Sequence, residues 1–193
     1  MNQNPNFSNA SKIIIRKKAF INRKNKYFEV SDNFFKPLLE LLNIKNKNKK
    51  NLLSLYYPAS YEVNVLKLFD SIKKTKTKTL LPVIKNKNEM SFVEWRYHDP
   101  LKVNKFGMLD PCLQAKSLIP DVMLVPLLAF DSLKNRLGYG KGFYDRYLSK
   151  FLTKRKKITT IGVAFSFQKY NKLPVSRLDK KLDYILTEKG LQK

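Results

Sequence analysis

Between Asp121 and Asp131 the chain reads DVMLVPLLAFD, and everything from Val122 to Phe130 is apolar. A strand with no polar side to turn toward water must be covered on both faces, the condition of a parallel strand sandwiched between helices. TTIGVAF (Thr159–Phe165) repeats the pattern and LDYILTE (Leu182–Glu188) closes it. NLLSLYYPA reads as a strand ending at Pro58, and TLLPVIK and MSFVEWR as short strands, the first with an edge-type proline. Between them, SYEVNVLKLFDSIKK carries Val65, Leu68, Phe69 and Ile72 at helical spacing, as do Tyr144, Tyr147, Leu148 and Phe151 further on. Ser11 caps a predicted helix running to about Phe28, so residues 1–10 read as a flexible tail and 11–193 as one folded domain. Strands alternating with helices predict an α/β fold with substantial parallel pairing.

Charge bounds the partners. Lys and Arg number 39 against 15 Asp and Glu, a net +24, which attracts polyanions. The runs NIKNKNKKN and KKTKTKT lack aromatics, and arginine is scarce, so a solvated lysine-biased surface is favoured over a nucleic-acid interface. One cysteine (Cys112) excludes a disulfide framework, and one histidine (His98) excludes a His-rich zinc site. No apolar run reaches the ~20 residues of a membrane span. The N-terminus has no secretory core; its lack of acidic residues up to Glu29 suits a transit peptide or an Asn-rich tail, and the tail is the reading adopted, with a reducing, cytoplasmic setting expected.

RLGYGKGFYDRYL, Arg136 to Leu148, is the segment with chemistry in it. Gly138, Gly140 and Gly142 allow positive φ and bring backbone N–H groups close to an anion, while the following helix adds its positive N-terminal end. Lys141 and Arg136 add full charges. The pattern is neither GxxxxGK[ST] nor GxGxxG. Asp145 is both a favourable first-turn acid and a candidate Mg²⁺ ligand. On spacing alone, a phosphate cradle and a glycine-rich turn stand level.

The wider pattern LVPLLAFD…RLGYGKGFYDRYL resembles the signature of the 5-formyltetrahydrofolate cyclo-ligase (5,10-methenyltetrahydrofolate synthetase) family: P-x-x-x-F-D, then RLG-x-G-x-G-aromatic-Tyr-Asp. KIIIR (Lys12 to Arg16) is similar to its K-x-x-x-R. YYPASYEV, GMLDP, GVAFSFQ and LPVSRLDKKLDYILTEKG resemble further elements in the family's order. The resemblance implies a Rossmann-like three-layer fold, with a mostly parallel sheet flanked by helices in a single catalytic domain. It implies a ring-forming carbon–nitrogen ligase that uses ATP as co-substrate and Mg²⁺ to convert 5-formyltetrahydrofolate, with or without a polyglutamate tail, into 5,10-methenyltetrahydrofolate. The formyl oxygen would attack the γ-phosphate, N10 would add to the phosphorylated carbon, and ADP and phosphate would leave.

Carried over residue by residue, the resemblance implies ATP contacts at Lys12, Arg16 and the loop Arg136, Leu137, Gly138, Tyr139, Gly140, Lys141, Gly142, Phe143 and Tyr144. Lys141 and Arg136 would stabilise the transferring phosphoryl group, and Asp145 and Asp179 would hold Mg²⁺. Asp183 rivals Asp179, with the spacing from Pro174 favouring Asp179. Glu62 would pair with the pterin's N–H donors, against the plainer reading of an acid at a helix start, and Tyr139 to Phe143 would lie where loop and folate meet. Phe92, Trp95 and Phe165 are aromatics that stack on a pterin or fill the core, and Gln168 either faces the site or sits in a surface loop. The chain departs from the family pattern at Phe143 (usually Tyr), Leu178 (often His), Leu127 and Lys134 (Gly) and Asp110 (Glu). A monomer without membrane or specific nucleic-acid partners is expected. A divergent member that keeps the ATP loop but uses another substrate, and a salt-sensitive RNA or DNA binder, are the rival readings.

Overall fold

The structure, a computed structural model, describes residues 5–45, 51–73, 75–86, 89–112, 116–152 and 158–193. Much of the basic run Asn43–Asn51, and Lys74 of the second run, lie outside them. Helix α1 (Pro5–Lys26) is followed by a 3-10 turn and α2 (Lys36–Lys45), then β1 (Leu52–Ser54), a second 3-10 turn and α3 (Leu68–Ile72). β2 (Lys78–Ile84), β3 (Met90–Glu94), β4 (Leu101–Val103), β5 (Leu109–Pro111), β6 (Val122–Pro126), β7 (Ala129–Asp131) and β8 (Arg136–Leu137) lead to α4 (Phe143–Leu152). β9 (Thr159–Val163), β10 (Lys169–Tyr170), β11 (Tyr184–Thr187) and β12 (Gly190–Gln192) complete the chain.

Seven strands form one sheet in the order β12-β11-β9-β6-β1-β2-β3. The inner pairs β11–β9, β9–β6, β6–β1 and β1–β2 are parallel, and the outer strands β12 and β3 run antiparallel. β6 lies at the centre and is covered on both faces, as its sequence requires. Val122 and Leu124 join a core with Phe35, Leu38, Leu68 and Ile72 from α2, α3 and the turn before α2. Met123 and Val125 join a second core with Phe143, Tyr147 and Leu148 of α4. Period-two alternation thus sends one strand's side chains into two layers. This is the mixed α/β sheet expected, with helices on both sides.

Three local expectations change. The run Asp121–Asp131 is not one strand: β6 ends at Pro126, and β7 belongs to a small sheet ordered β10-β7-β8. Pro126 has no N–H for the ladder. The carbonyls just beyond it are satisfied by side chains: Gln168 Nε2 donates to Leu127 and Leu128 oxygens at 3.0 Å each, and Arg23 Nη1 donates to Leu127 O at 3.0 Å. The glycine segment therefore follows a hairpin arm, β8, rather than a strand of the main sheet. Second, the helix expected over SYEVNVLKLFDSIKK begins only after Asn64, whose side chain accepts from Leu66 N at 3.2 Å. Ser60 and Tyr61 have φ of 50° and 65° and cannot be helical. Third, α1 starts at Pro5 rather than Ser11, so residues 5–10 are helical; proline suits the first turn because its missing N–H would be unpaired there anyway. Residues 1–4 are outside the described chain.

Candidate active site

Helix α1 lies over the small sheet, its Ala19 packed with Leu128, Ala129, Leu137 and Leu173. On that inward face Lys12, Arg16, Ala19 and Arg23 recur at i, i+4, i+7 and i+11, one stripe of a 3.6-residue helix. Lys12 Nζ lies 2.5 Å from Asp179 Oδ2, Arg16 Nε donates to Gly138 O at 2.9 Å, and Arg23 serves Leu127 O, Ser60 O at 2.7 Å and the Tyr139 hydroxyl. Lys12 and Arg23 are buried. A buried cation needs partners for its charge and donors alike.

The glycine loop passes under this stripe. Gly140 and Gly142 have φ of +94° and +67°, which side-chain-bearing residues adopt only under strain. A Cβ on Gly140 would stand 3.1 Å from the Arg16 guanidinium carbon, so the missing side chain lets Arg16 lie against the loop. Arg146 Nη2 donates to Lys141 O at 2.8 Å and braces the loop from the first turns of α4. Leu137 and Phe143 are buried, Phe143 against Phe106 of the β4–β5 turn, leaving only their backbone to the loop's surface. Lys141 is exposed, and its ammonium has no carboxylate partner among the described residues.

The two predicted carboxylates lie on segments that converge beside the loop. Asp145 Oδ1 accepts from Arg136 Nη2 at 2.9 Å and from the backbone N–H of Lys180 at 3.0 Å. Lys180 is the neighbour of Asp179, so segments 35 residues apart converge there. Arg136 also lies over the Tyr144 ring, 5.8 Å from its centre. Asp179 accepts from Lys12 and from Ser176 N at 2.7 Å. Partial burial raises the affinity of its carboxyl for a proton, but Lys12 and Ser176 N–H outweigh it and hold the group below the usual carboxylate range. Asp183, the rival, accepts from Thr160 N at 2.8 Å and Thr160 Oγ1 at 3.0 Å and ties β11 to β9 instead. No cluster of three His, Cys, Asp or Glu occurs among the described residues.

Glu62 is buried in the turn that Ser60 and Tyr61 make possible, with Oε2 accepting from Ala59 N at 3.0 Å. Burial pushes its carboxyl above the ordinary value, opposed by the Ala59 N–H, the Arg23 charge and a hydrogen bond from Tyr139. Tyr139 of the glycine loop thus sits between Arg23 and Glu62. Sequence reasoning missed Arg23; the signal was the continuation of the Lys12, Arg16 stripe by seven residues.

Several expected site residues are structural. Phe92, Trp95 and Phe165 are buried core rings, Trp95 donating Nε1–H to Asp99 O at 3.0 Å. Gln168 is buried rather than in a surface loop, with every polar atom committed to backbone. The departures are accommodated. Lys134 holds φ +61° where the family pattern has glycine. Leu127 fills the space over Gly162, where a Cβ would meet its Cδ2 at 2.8 Å. Asp110 is buried and takes a 2.9 Å hydrogen bond from Asn104 Nδ2. Leu178 is 77% exposed beside Asp179 and touches nothing that explains the exchange.

A family model described as the 5-formyltetrahydrofolate cyclo-ligase family matches residues 12–188. The chain is 31% identical over 179 residues to a 5-formyltetrahydrofolate cyclo-ligase of Mycoplasma genitalium, covering 91% of this chain and 93% of that protein. It is 31% identical over 151 residues to that of Haemophilus influenzae, with 75% and 80% covered. Among solved structures, the 5,10-methenyltetrahydrofolate synthetase of Aquifex aeolicus is 30% identical with a TM-score of 0.71, covering 94% of this chain and 92% of that one. The synthetase of Mycoplasma pneumoniae is 26% identical with a TM-score of 0.65, covering 92% and 98%.

Proposed function

The chain belongs to the 5-formyltetrahydrofolate cyclo-ligase family, and on that footing we propose that it converts 5-formyltetrahydrofolate into 5,10-methenyltetrahydrofolate at the expense of ATP. The observation that carries the reading is the convergence of α1, the glycine loop and the Asp179 segment through Lys12–Asp179, Arg16–Gly138 and Lys180–Asp145, at 2.5, 2.9 and 3.0 Å. Four cations and a glycine-rich backbone around one helix N-terminus suit a triphosphate.

The chemistry follows from the substrate. A formyl amide is a poor electrophile, and its oxygen is a poor leaving group. Attack of that oxygen on the γ-phosphorus breaks the bond to the β-phosphate bridging oxygen and releases ADP, giving a phosphorylated imidate. N10 then adds to the carbon and loses its proton, and the former formyl oxygen departs with phosphate. Such transfers need positioning and charge more than covalent help. Lys141, exposed and unpaired with any carboxylate among the described residues, is free to swing onto the γ-phosphate; Arg136 approaches from the start of the loop. Lys12 and Arg16 take phosphate oxygens on the α1 side. Glu62 accepts from the pterin's N–H groups.

Magnesium fits these residues. Asp145 and Asp179 are two oxygen donors in one neighbourhood, the number Mg²⁺ usually takes from a protein when phosphates and water complete its shell. When bound, the ion neutralises charge on the nucleotide's phosphate oxygens. Each carboxylate now holds a cation, so Arg136 and Lys12 would pass from carboxylate to phosphate as the metal nucleotide enters.

The test is growth of the methenyl product's near-ultraviolet absorbance on mixing protein, ATP, Mg²⁺ and 5-formyltetrahydrofolate. Growth should require all of them. Growth without ATP contradicts the phosphorylation step, and ATP binding with no turnover points to a divergent member with another substrate.

A further inference from the structure

Among the described residues Arg23 is the largest fully buried side chain, at 1% exposure, and the chemistry above makes no use of it. Its two terminal nitrogens serve three places at once: Leu127 O just past the central strand β6, Ser60 O in the left-handed turn before Glu62, and the hydroxyl of Tyr139 in the glycine loop. Its guanidinium also lies 5.5 Å from the centre of the Tyr139 ring. Its remaining nitrogen, Nε, is buried without a partner, so the side chain keeps this pose despite leaving one donor unsatisfied. Such groups persist where the surroundings fix them for another reason.

We propose that Arg23 is a positioning residue that sets the folate carboxylate, Glu62, and the nucleotide loop, through Tyr139, in register with each other. This rests on the cyclo-ligase reading. The arrangement gives the reason for the strained turn: Ser60 and Tyr61 sit at φ 50° and 65°, and the Ser60 carbonyl so aimed is the one Arg23 takes. Tyr139 joins the two ends because its hydroxyl reaches both Arg23 and Glu62. A loop displaced by nucleotide would therefore move Glu62's hydrogen-bond partner, and folate at Glu62 would restrain the loop. Arg rather than Lys is required, because a planar fork can serve two carbonyls and a hydroxyl at once. The charged or titratable groups whose electrostatics couple to Glu62 among the described residues are Arg23 from α1, Tyr139 from the loop, Tyr56 from the segment after β1 and Tyr144 from α4. Arg23 is the only cation among these, so its removal drives the Glu62 carboxyl further upward.

The experiment is steady-state kinetics of Arg23→Lys and Tyr139→Phe across pH, beside wild type, with the Kd of a non-hydrolysable Mg-nucleotide measured for each. Arg23→Lys should raise the KM for 5-formyltetrahydrofolate about tenfold, the worth of one charge-assisted hydrogen bond. It should leave nucleotide Kd within about twofold, whereas Arg23→Met, made alongside, also removes the cation and should move the acid limb of kcat/KM to higher pH. Tyr139→Phe, which like Arg23→Lys keeps the cation, should raise KM with a smaller displacement of the limb than Arg23→Met. A merely structural role would lower the melting temperature or the active fraction without touching KM or the pH limb, and that result overturns the proposal. So does Tyr139→Phe behaving as wild type. Should Arg23→Lys not fold, Tyr139→Phe alone decides. Absence of ATP-dependent turnover in the wild type sinks the cyclo-ligase reading instead, a separate outcome.

Discussion

Lys12 and Asp179 form a pair whose two halves are unequally buried, so its two single deletions should differ. Side-chain exposure is 8% for Lys12 and 27% for Asp179, at 2.5 Å separation. Replacing Asp179 with Ala strands the ammonium and also strips Ser176 N of its acceptor. Removing one partner of a fully buried pair costs roughly 3–5 kcal/mol, and an exposed pair is worth roughly 0–1. Water can reach the carboxylate side, so a loss of about 2 kcal/mol is expected, between those limits. In a chain of 193 residues that lowers Tm by about 4–8 °C. Lys12→Met keeps the apolar stem and leaves Asp179 with Ser176 N and solvent, so its loss should stay under about 1 kcal/mol. Thermal unfolding followed by circular dichroism at neutral pH and low salt measures both. ATP without metal should raise the Tm of Asp179→Ala more than that of wild type, because a phosphate takes the vacated place opposite Lys12. The sign with pH follows from the lowered carboxyl. The advantage of wild type over Asp179→Ala is full above the ordinary value of 3.8 and vanishes as pH falls through the lower folded value. Equal losses for the two variants, or no nucleotide rescue, would refute a poised, buried ammonium.

Lys141→Ala should leave Tm unchanged, since the side chain is exposed, and lower kcat about 10²–10³-fold, the usual effect of removing one charge donor at a transition state; a Tm loss with intact kcat contradicts this. Gly142→Ala forces a Cβ at φ +67° to within 2.8 Å of Arg146 Nη1, and should cost about 1–2 kcal/mol of stability, mostly as backbone strain, with a measurable fall in nucleotide affinity. Gly162→Ala crowds Leu182, Ile185 and Leu127 at 2.7–2.8 Å and should cost about 1–3 kcal/mol by chemical denaturation; adding Leu127→Ala should not relieve all of it, because two of the three clashes remain.

What the sequence disclosed, it disclosed through periodicity and through special residues. The apolar run at Val122–Val125 could only be a doubly covered strand, and α4 announced itself by Tyr147 and Leu148. Asp145 and Lys141 were legible because of the glycines around them. Other features were hidden because they depend on what packs from a distance. The break at Pro126 is set by Gln168 and Arg23, 42 and 103 positions away in the chain. Trp95 and Phe165 carry the same letters whether they stack on a ligand or fill a core, and only burial separates the cases. Arg23 was overlooked because arginine is rarely buried, although its place on the stripe was there to be counted. Backbone conformation was least legible: nothing in Ser60, Tyr61 or Lys134 as residue types foretells a left-handed φ.

The most direct measurement of the proposed chemistry follows the formyl oxygen itself. 5-Formyltetrahydrofolate carrying ¹⁸O in the formyl group is turned over with MgATP in ordinary water, and the inorganic phosphate is examined for the label. The expected result is one ¹⁸O per phosphate released. Unlabelled phosphate, with the heavy oxygen in water, would mean that ATP is hydrolysed beside the cyclisation rather than through it, and would contradict the role given to the glycine loop.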